Sequence, residues 1–260
     1  MDSPPLLLIG GVVLVFGSVY LARTASEIRT VYHIIQNDPV PIRELPTRSG
    51  SVEIEGTARV AEDHEPIESI FTETPCLAFE YEIEEYRSSG KHSSWDTLEE
   101  GMTYVPFLIE DGTGTVEVRP EGAAFRFEDH SIRVDGGEKP PERIERYLQR
   151  TDAADPQNKS LNLGITELSY GNDQRFTERR LEPGEDAYVY GTVGRAQGGE
   201  WGSDLVSAAV EDGDSIPEFV VSDTSEEGTA RRIRNNALKT GGLGLLMSGF
   251  GVVVLATCLL

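Results

Sequence analysis

Cysteine is almost missing from this chain: of 260 residues only Cys76 and Cys258 carry a thiol. Two thiols, one of them inside an apolar run, exclude a disulfide framework, and they cannot supply the four ligands of a structural zinc site. Lysine is nearly as scarce. Only Lys91, Lys139, Lys159 and Lys239 occur, against 45 Asp and Glu, and the formal net charge is -22. Without clustered basic residues outside its apolar flanks, the chain lacks what drives binding to a phosphate backbone, so no nucleic acid is expected as partner. The excess of carboxylate over lysine suits a surface hydrated in concentrated salt, where repulsion is screened. A halophilic, archaeal-like source is expected from this acidic balance.

What the sequence does hold is two long apolar runs, 6–22 and 241–260, neither interrupted by a charged residue. A helix needs about 20 mostly apolar residues to cross roughly 30 Å of hydrocarbon, so the expectation is a two-pass membrane protein with the lipid bilayer as its first partner. Only Asp2 precedes the first apolar core, where a cleavable signal would carry positive charge. Arg23 and Arg29 follow the first run, and Arg231, Arg232, Arg234 and Lys239 precede the second. This bias predicts a cell-membrane protein whose middle domain faces the cytoplasm. Within the spans, Gly10 and Gly17, Gly242 and Gly249, and Gly244 and Gly251 each recur seven residues apart. Each pair shares one helix face, offering a surface for packing between the spans or for self-association.

The intervening sequence divides by its periodicity. A short outer N-terminus, 1–5, leads into the first span, 6–22. Ile28, Val31, Tyr32 and Ile35 keep helical spacing within a juxtamembrane helix and linker over 23–49. A β-rich soluble domain follows over 50–222, then an acidic and basic tether, 223–240, before the second span. In the domain, Leu77, Phe79, Tyr81 and Ile83 alternate with Ala78, Glu80, Glu82 and Glu84, the pattern of a strand with one buried face. Residues 105–109 and 115–119 flank Asp111-Gly112-Thr113-Gly114, a hairpin signature. A strand with a bend at Gly56 is expected from residue 52, a helix over 141–150, a loop over 151–158, and strands near 165–169, 176–181, 187–193 and 205–210. The fold class is mostly β, a small antiparallel barrel or sandwich with short helices, flanked by two transmembrane α-helices.

The ordered motifs include Pro75-Cys76, then Pro106-Phe107, then Asp111-Gly112-Thr113-Gly114, then Pro183-Gly184-Glu185 leading to Gly191. With Trp95 and the two-span layout, they resemble the GIDE-type (MULAN-like) E3 ubiquitin ligase family and its BAM, "beside a membrane", domain, over roughly residues 50–195. The resemblance implies a β domain held against a membrane. In the eukaryotic ligases it also implies a zinc-binding RING module after the second span. This sequence stops at Leu260, and the expectation is a member lacking that module, so that ligase activity would need a separate RING-type subunit.

Among the chain's own residues, Asp63, His64 and Cys76 can be drawn as orienter, base and nucleophile of a cysteine hydrolase. A cysteine opening the best strand is, however, expected to pack as a small hydrophobe. The carboxylate pairs Glu84-Glu85 and Glu99-Glu100 belong to a generally acidic surface. No catalytic, metal or cofactor residue is assigned, and the cofactor expectation is none. The segment 88–101 reads as a long polar loop presenting Trp95 and His92, the candidate partner-binding residues. The competing reading folds Trp95 back as a lid on the barrel.

Overall fold

The computed structural model describes residues 4–36, 38–89, 92–154, 171–196 and 204–259. The chain opens with α1 (Pro4–Gln36) and continues through β1 (Ser51–Val60), β2 (Ile67–Glu68), β3 (Pro75–Cys76), β4 (Ala78–Ser89), β5 (His92–Tyr104), β6 (Phe107–Glu110) and β7 (Thr115–Val118). It then forms β8 (Ala124–Arg126), β9 (His130–Val134), α2 (Glu142–Ala154), β10 (Gln174–Leu181), β11 (Asp186–Arg195), β12 (Leu205–Glu211), β13 (Val220–Ser222) and α3 (Glu226–Leu259). The expected strand at 165–169 and the loop residues 155–158 lie outside the described residues.

Five strands close on themselves in the order β1-β6-β7-β12-β11, with β11 returning to β1. Every pairing in this barrel is antiparallel except β7 with β12, an arrangement shared with the Greek-key barrel of OB folds. Val52, Ile54, Phe107, Ile109, Val116, Val118, Val189 and Val210 are buried in its core. Gly56 marks the corner where β1 leaves β11 for β6. A methyl group there would lie 2.8 Å from the Glu110 carbonyl carbon, so the two backbones approach more closely than a side chain allows.

Two insertions build a second layer. The segment between β1 and β6 supplies β4 and β5, and the segment between β7 and β11 supplies β9, α2 and β10. Together the strands form a four-stranded sheet, β5-β4-β10-β9. Alternation sends Ile83, Phe176 and Val134 to its inner face, against Phe71 and Ile144. Phe71 meets Phe176 and Tyr147 edge to face at 5.5 and 5.8 Å between ring centroids, the geometry aromatic quadrupoles favour. Of the expected 88–101 loop, the described residues are instead strand: 88–89 end β4 and 92–101 lie in β5, which pairs with β4 from Ser89↔His92 to Ala78↔Tyr104. Its polar sequence hides this because the backbone ladder, rather than an apolar face, holds it.

α1 runs unbroken from the apolar segment to Gln36 and takes in the helical spacing of Ile28 to Ile35. The second helix departs from expectation. The supposed tether, 223–240, is helical from Glu226, since Ser225 accepts a hydrogen bond from Gly228 N–H and acidic residues occupy the first turn. Both helices are long and apolar enough to cross a bilayer. They pack on each other along small residues: a methyl at Gly17 would lie 2.7 Å from the Ser248 nitrogen, and one at Gly251 3.0 Å from the Gly10 carbonyl. Gly242 and Gly249 face open space instead. Below the apolar runs, Ile34, Ala230 and Ile233 are buried against Tyr188, Tyr190 and Val220 on the outside of the barrel.

Candidate functional site

The motif residues of the sequence resemblance serve the barrel's construction. The Asp111 carboxylate accepts hydrogen bonds from Ile42 N–H at 2.8 Å, from Thr113 N–H and hydroxyl at 2.7 Å each, and from Gly114 N–H at 3.2 Å. Desolvation alone would raise its pKa, but these bonds outweigh it and leave the carboxyl below its ordinary value. Gly112 takes φ of 77° in this turn and Gly184 φ of 96° in the other, conformations that a side chain strains. Gly184 N–H donates to Ala58, Ala58 N–H donates to Glu185, and the Glu185 carboxylate accepts from Glu182 N–H, all at 2.8 Å. A methyl on Gly191 would lie 3.0 Å from the Phe219 ring. Pro106 leads into fully buried Phe107, and Pro183 precedes the Gly184 turn.

Cys76 and its proposed helpers are not assembled as a nucleophilic site. Pro75 and Cys76 form β3 against β2, and the buried thiol donates to the Ile67 carbonyl at 3.4 Å. Burial, reinforced by Glu178, pushes the thiol up to about 12, so it stays protonated at neutral pH. Asp63 and His64 lie exposed on a turn. Glu178 itself is fully buried and accepts from Phe71 N–H at 2.7 Å and the Thr72 hydroxyl at 2.6 Å, latching the segment before β3 to β10. Among the described residues no group of three or more His, Cys, Asp or Glu is placed to hold a metal ion.

Trp95 lies on the outer face of the second sheet, far in register from a barrel lid. Its ring has the Arg175 guanidinium 4.6 Å from its centroid, Arg133 at 5.6 Å, and Tyr86 across the ladder at 5.4 Å. Both arginines are held in turn. Arg175 makes two bonds to Glu84, of 2.5 and 2.6 Å, while Arg133 pairs with Asp173 and, at 3.4 Å, with Asp135. The result is a cation-π cluster with fixed geometry. His92 pairs opposite Ser89 at the start of β5, and its side chain lies outside the described residues. The sequence reading missed Arg133 and Arg175, and it placed Glu84 only on a generally acidic surface, whereas the structure nearly buries it. Alternation within 174–181 held the only signal for Arg175, and nothing in it gave the register that joins it to Glu84.

Where barrel meets helices, the Tyr188 hydroxyl donates to buried Glu53 at 2.8 Å. Desolvation and the nearby Glu53 charge push Tyr190 up to about 12, so both phenols remain neutral.

Residues 79–255, which run from within β4 into α3 and include barrel strands β6, β7, β11 and β12 but not β1, match the family model GIDE, described as E3 ubiquitin ligase. No curated protein and no solved structure matches the chain. With more than half of its length matched, the chain belongs to the GIDE family.

Proposed function

We propose that this chain is a two-pass protein of the cell membrane whose β domain stands on the cytoplasmic face as a non-catalytic module, binding a protein partner and organising a membrane assembly. The observation that carries this reading is continuity. Both helices run without a break from apolar segment to barrel and bury Ile34, Ala230 and Ile233 there, so the domain has a fixed orientation. The Trp95 cluster then supplies a rigid aromatic anchor of the kind that dominates protein interfaces. Arg23, Arg29, Arg234 and Lys239 beside the apolar runs support the cytoplasmic orientation. Glu110 and Glu117 on β6 and β7, the strands through which OB barrels hold oligonucleotides, support a partner other than nucleic acid. The acidic surface supports a halophilic, archaeal-like origin. Any self-association would use the open face of Gly242 and Gly249, because Gly10, Gly17, Gly244 and Gly251 are occupied between the helices.

The family description favours a second reading, a ligase-like protein acting with a separate RING-type subunit. Affinity purification from native membranes, run in parallel with Trp95→Ala, separates the two. Membrane partners lost in the variant support the module, whereas small modifiers or conjugating proteins support the ligase reading. Equal recovery of one protein set by both forms would remove Trp95 from the interface. Orientation is tested with a bulky thiol reagent on intact cells, using Ser89→Cys in a Cys76→Ser, Cys258→Ser background. Labelling before lysis would overturn the cytoplasmic assignment.

A further inference from the structure

A groove of about 830 Å³ lies between α3 and the domain. Its helix wall is formed by Arg232, Asn235, Asn236 and Lys239, a spacing of i, i+3, i+4, i+7 that gathers them on one face. That face continues as Leu243, Leu246, Phe250 and Val253, all exposed. It lies opposite the side occupied by α1, where Gly244, Ser248 and Gly251 make contact. One helix surface therefore changes from polar to apolar near Gly241. With a rise of 1.5 Å per residue, Lys239 and Asn236 stand within about 8 Å of that change, at the depth of lipid headgroups.

Charge on the groove is distributed unevenly. Arg232 is tied to Asp223, and Arg179 on the opposite wall to Asp129. Asn236 donates to Glu27 of α1 at 2.5 Å. Lys239 and Asn235 make no hydrogen bond or ion pair among the described residues, and both are exposed. The remaining acidic groups, Glu80 and Glu128, line the domain wall. The free cation and the free amide donor are thus both on the helix, at the end of the groove nearest the apolar run.

We infer that this groove holds one phospholipid of the surrounding leaflet, its phosphate on Lys239 and Asn235 and an acyl chain along Leu243, Leu246 and Phe250. The inference rests on the reading that the two helices cross a bilayer. Polar groove and bare apolar stripe share one face in the order that an amphiphile requires, and the fixed domain wall distinguishes this site from general attraction between basic residues and an anionic surface.

Native mass spectrometry of the full chain released from detergent micelles tests it, with phosphatidylglycerol and diacylglycerol of matched chains offered together. One phosphatidylglycerol retained per chain, with diacylglycerol lost, is the expected result. Lys239→Gln lowers that retention about fivefold, while Arg234→Gln, the same charge loss on another face of α3, leaves it unchanged. Equal retention of the two lipids, or equal loss in the two variants, overturns the site. Displacement of the lipid by millimolar inorganic phosphate would make it a free-anion site and overturn the lipid assignment. A carbonate wash of membranes is read separately: a chain released by it refutes the bilayer reading, whereas a retained chain that binds no phosphatidylglycerol refutes the groove alone.

Discussion

The barrel and the inserted sheet solve the same problem of chain pairing by different means. In the barrel, β11 returns to β1 and leaves no edge around the ring, and Gly56 and Gly191 sit where backbone or rings approach too closely for any side chain. The inserted sheet stays open, with β5 and β9 as edges. Its outer surface is held by cross-strand pairs of opposite charge, Arg175 with Glu84 and Arg179 with Glu82. Closure gives the barrel a shape that tolerates little change, and its outer wall is already committed to α1 and α3. The open sheet carries the Trp95 cluster on its outer face, where Arg179 also lines the groove toward α3. On the proposed reading, position is therefore the barrel's task, and presentation falls to the insertions.

This division can be broken most forcefully in the two cores. Phe107→Ala is expected to lose about 3–5 kcal/mol, as for other buried phenylalanines, and to unfold barrel and sheet together. Phe71→Ala should cost a similar amount but act on the inserted layer alone. Hydrogen exchange would then show rapid opening of β4, β9 and β10 with β1 and β11 still protected. If both variants open every strand equally, the two layers are one cooperative unit and the distinction fails.

A smaller effect is expected at the turn between β6 and β7. Asp111→Asn removes charge-assisted hydrogen bonds and should cost about 1–2 kcal/mol at neutral pH. Since the folded pKa of Asp111 lies below its unfolded value, its contribution is complete above about pH 4 and disappears as pH falls through the folded value. Urea denaturation should accordingly show native and variant chains converging in acid. A constant gap across that range would mean that the turn depends on shape and not on charge.

A change in stability no larger than that at Asp111 is expected at the Trp95 face. Trp95→Ala gives up two cation-π contacts on a partly exposed surface, about 0.5–1 kcal/mol each, with the barrel unaffected. Thermal melts should shift little while capture of a partner falls sharply. A large loss of stability would instead make Trp95 part of the sheet's framework.

How much of this was legible in the sequence follows the same division. Strands with an apolar face, such as 77–83 and 187–193, announce themselves by alternation, and the β6–β7 turn does so through Asp111 and its glycines. The edge strand β5 carries Ser93, Ser94, Asp96, Glu99 and Glu100 and looks like a loop, because its hydrogen bonds to β4 are invisible in side-chain pattern. β8 and β13 have three residues each, too few to show a period. The helical run from Glu226 was obscured by an acidic, turn-like opening that also makes a good first turn. The Trp95 cluster required four strands, β5, β4, β10 and β9, to be placed in register, and no local pattern contains that information.

The helical pair has a consequence for how an encounter takes place. At 33 residues, α1 is about 50 Å long, some 20 Å more than the hydrocarbon it would cross, and α3 matches it as a second leg. A platform on two stiff legs cannot swing as one on a flexible leash would. On the proposed reading it keeps one heading and one height, so a neighbour confined to the same membrane would search a plane instead of a volume and would meet Trp95 from a narrow range of directions. Even a weak contact then benefits from high effective concentration, which permits affinity at the face to be modest and release to be quick.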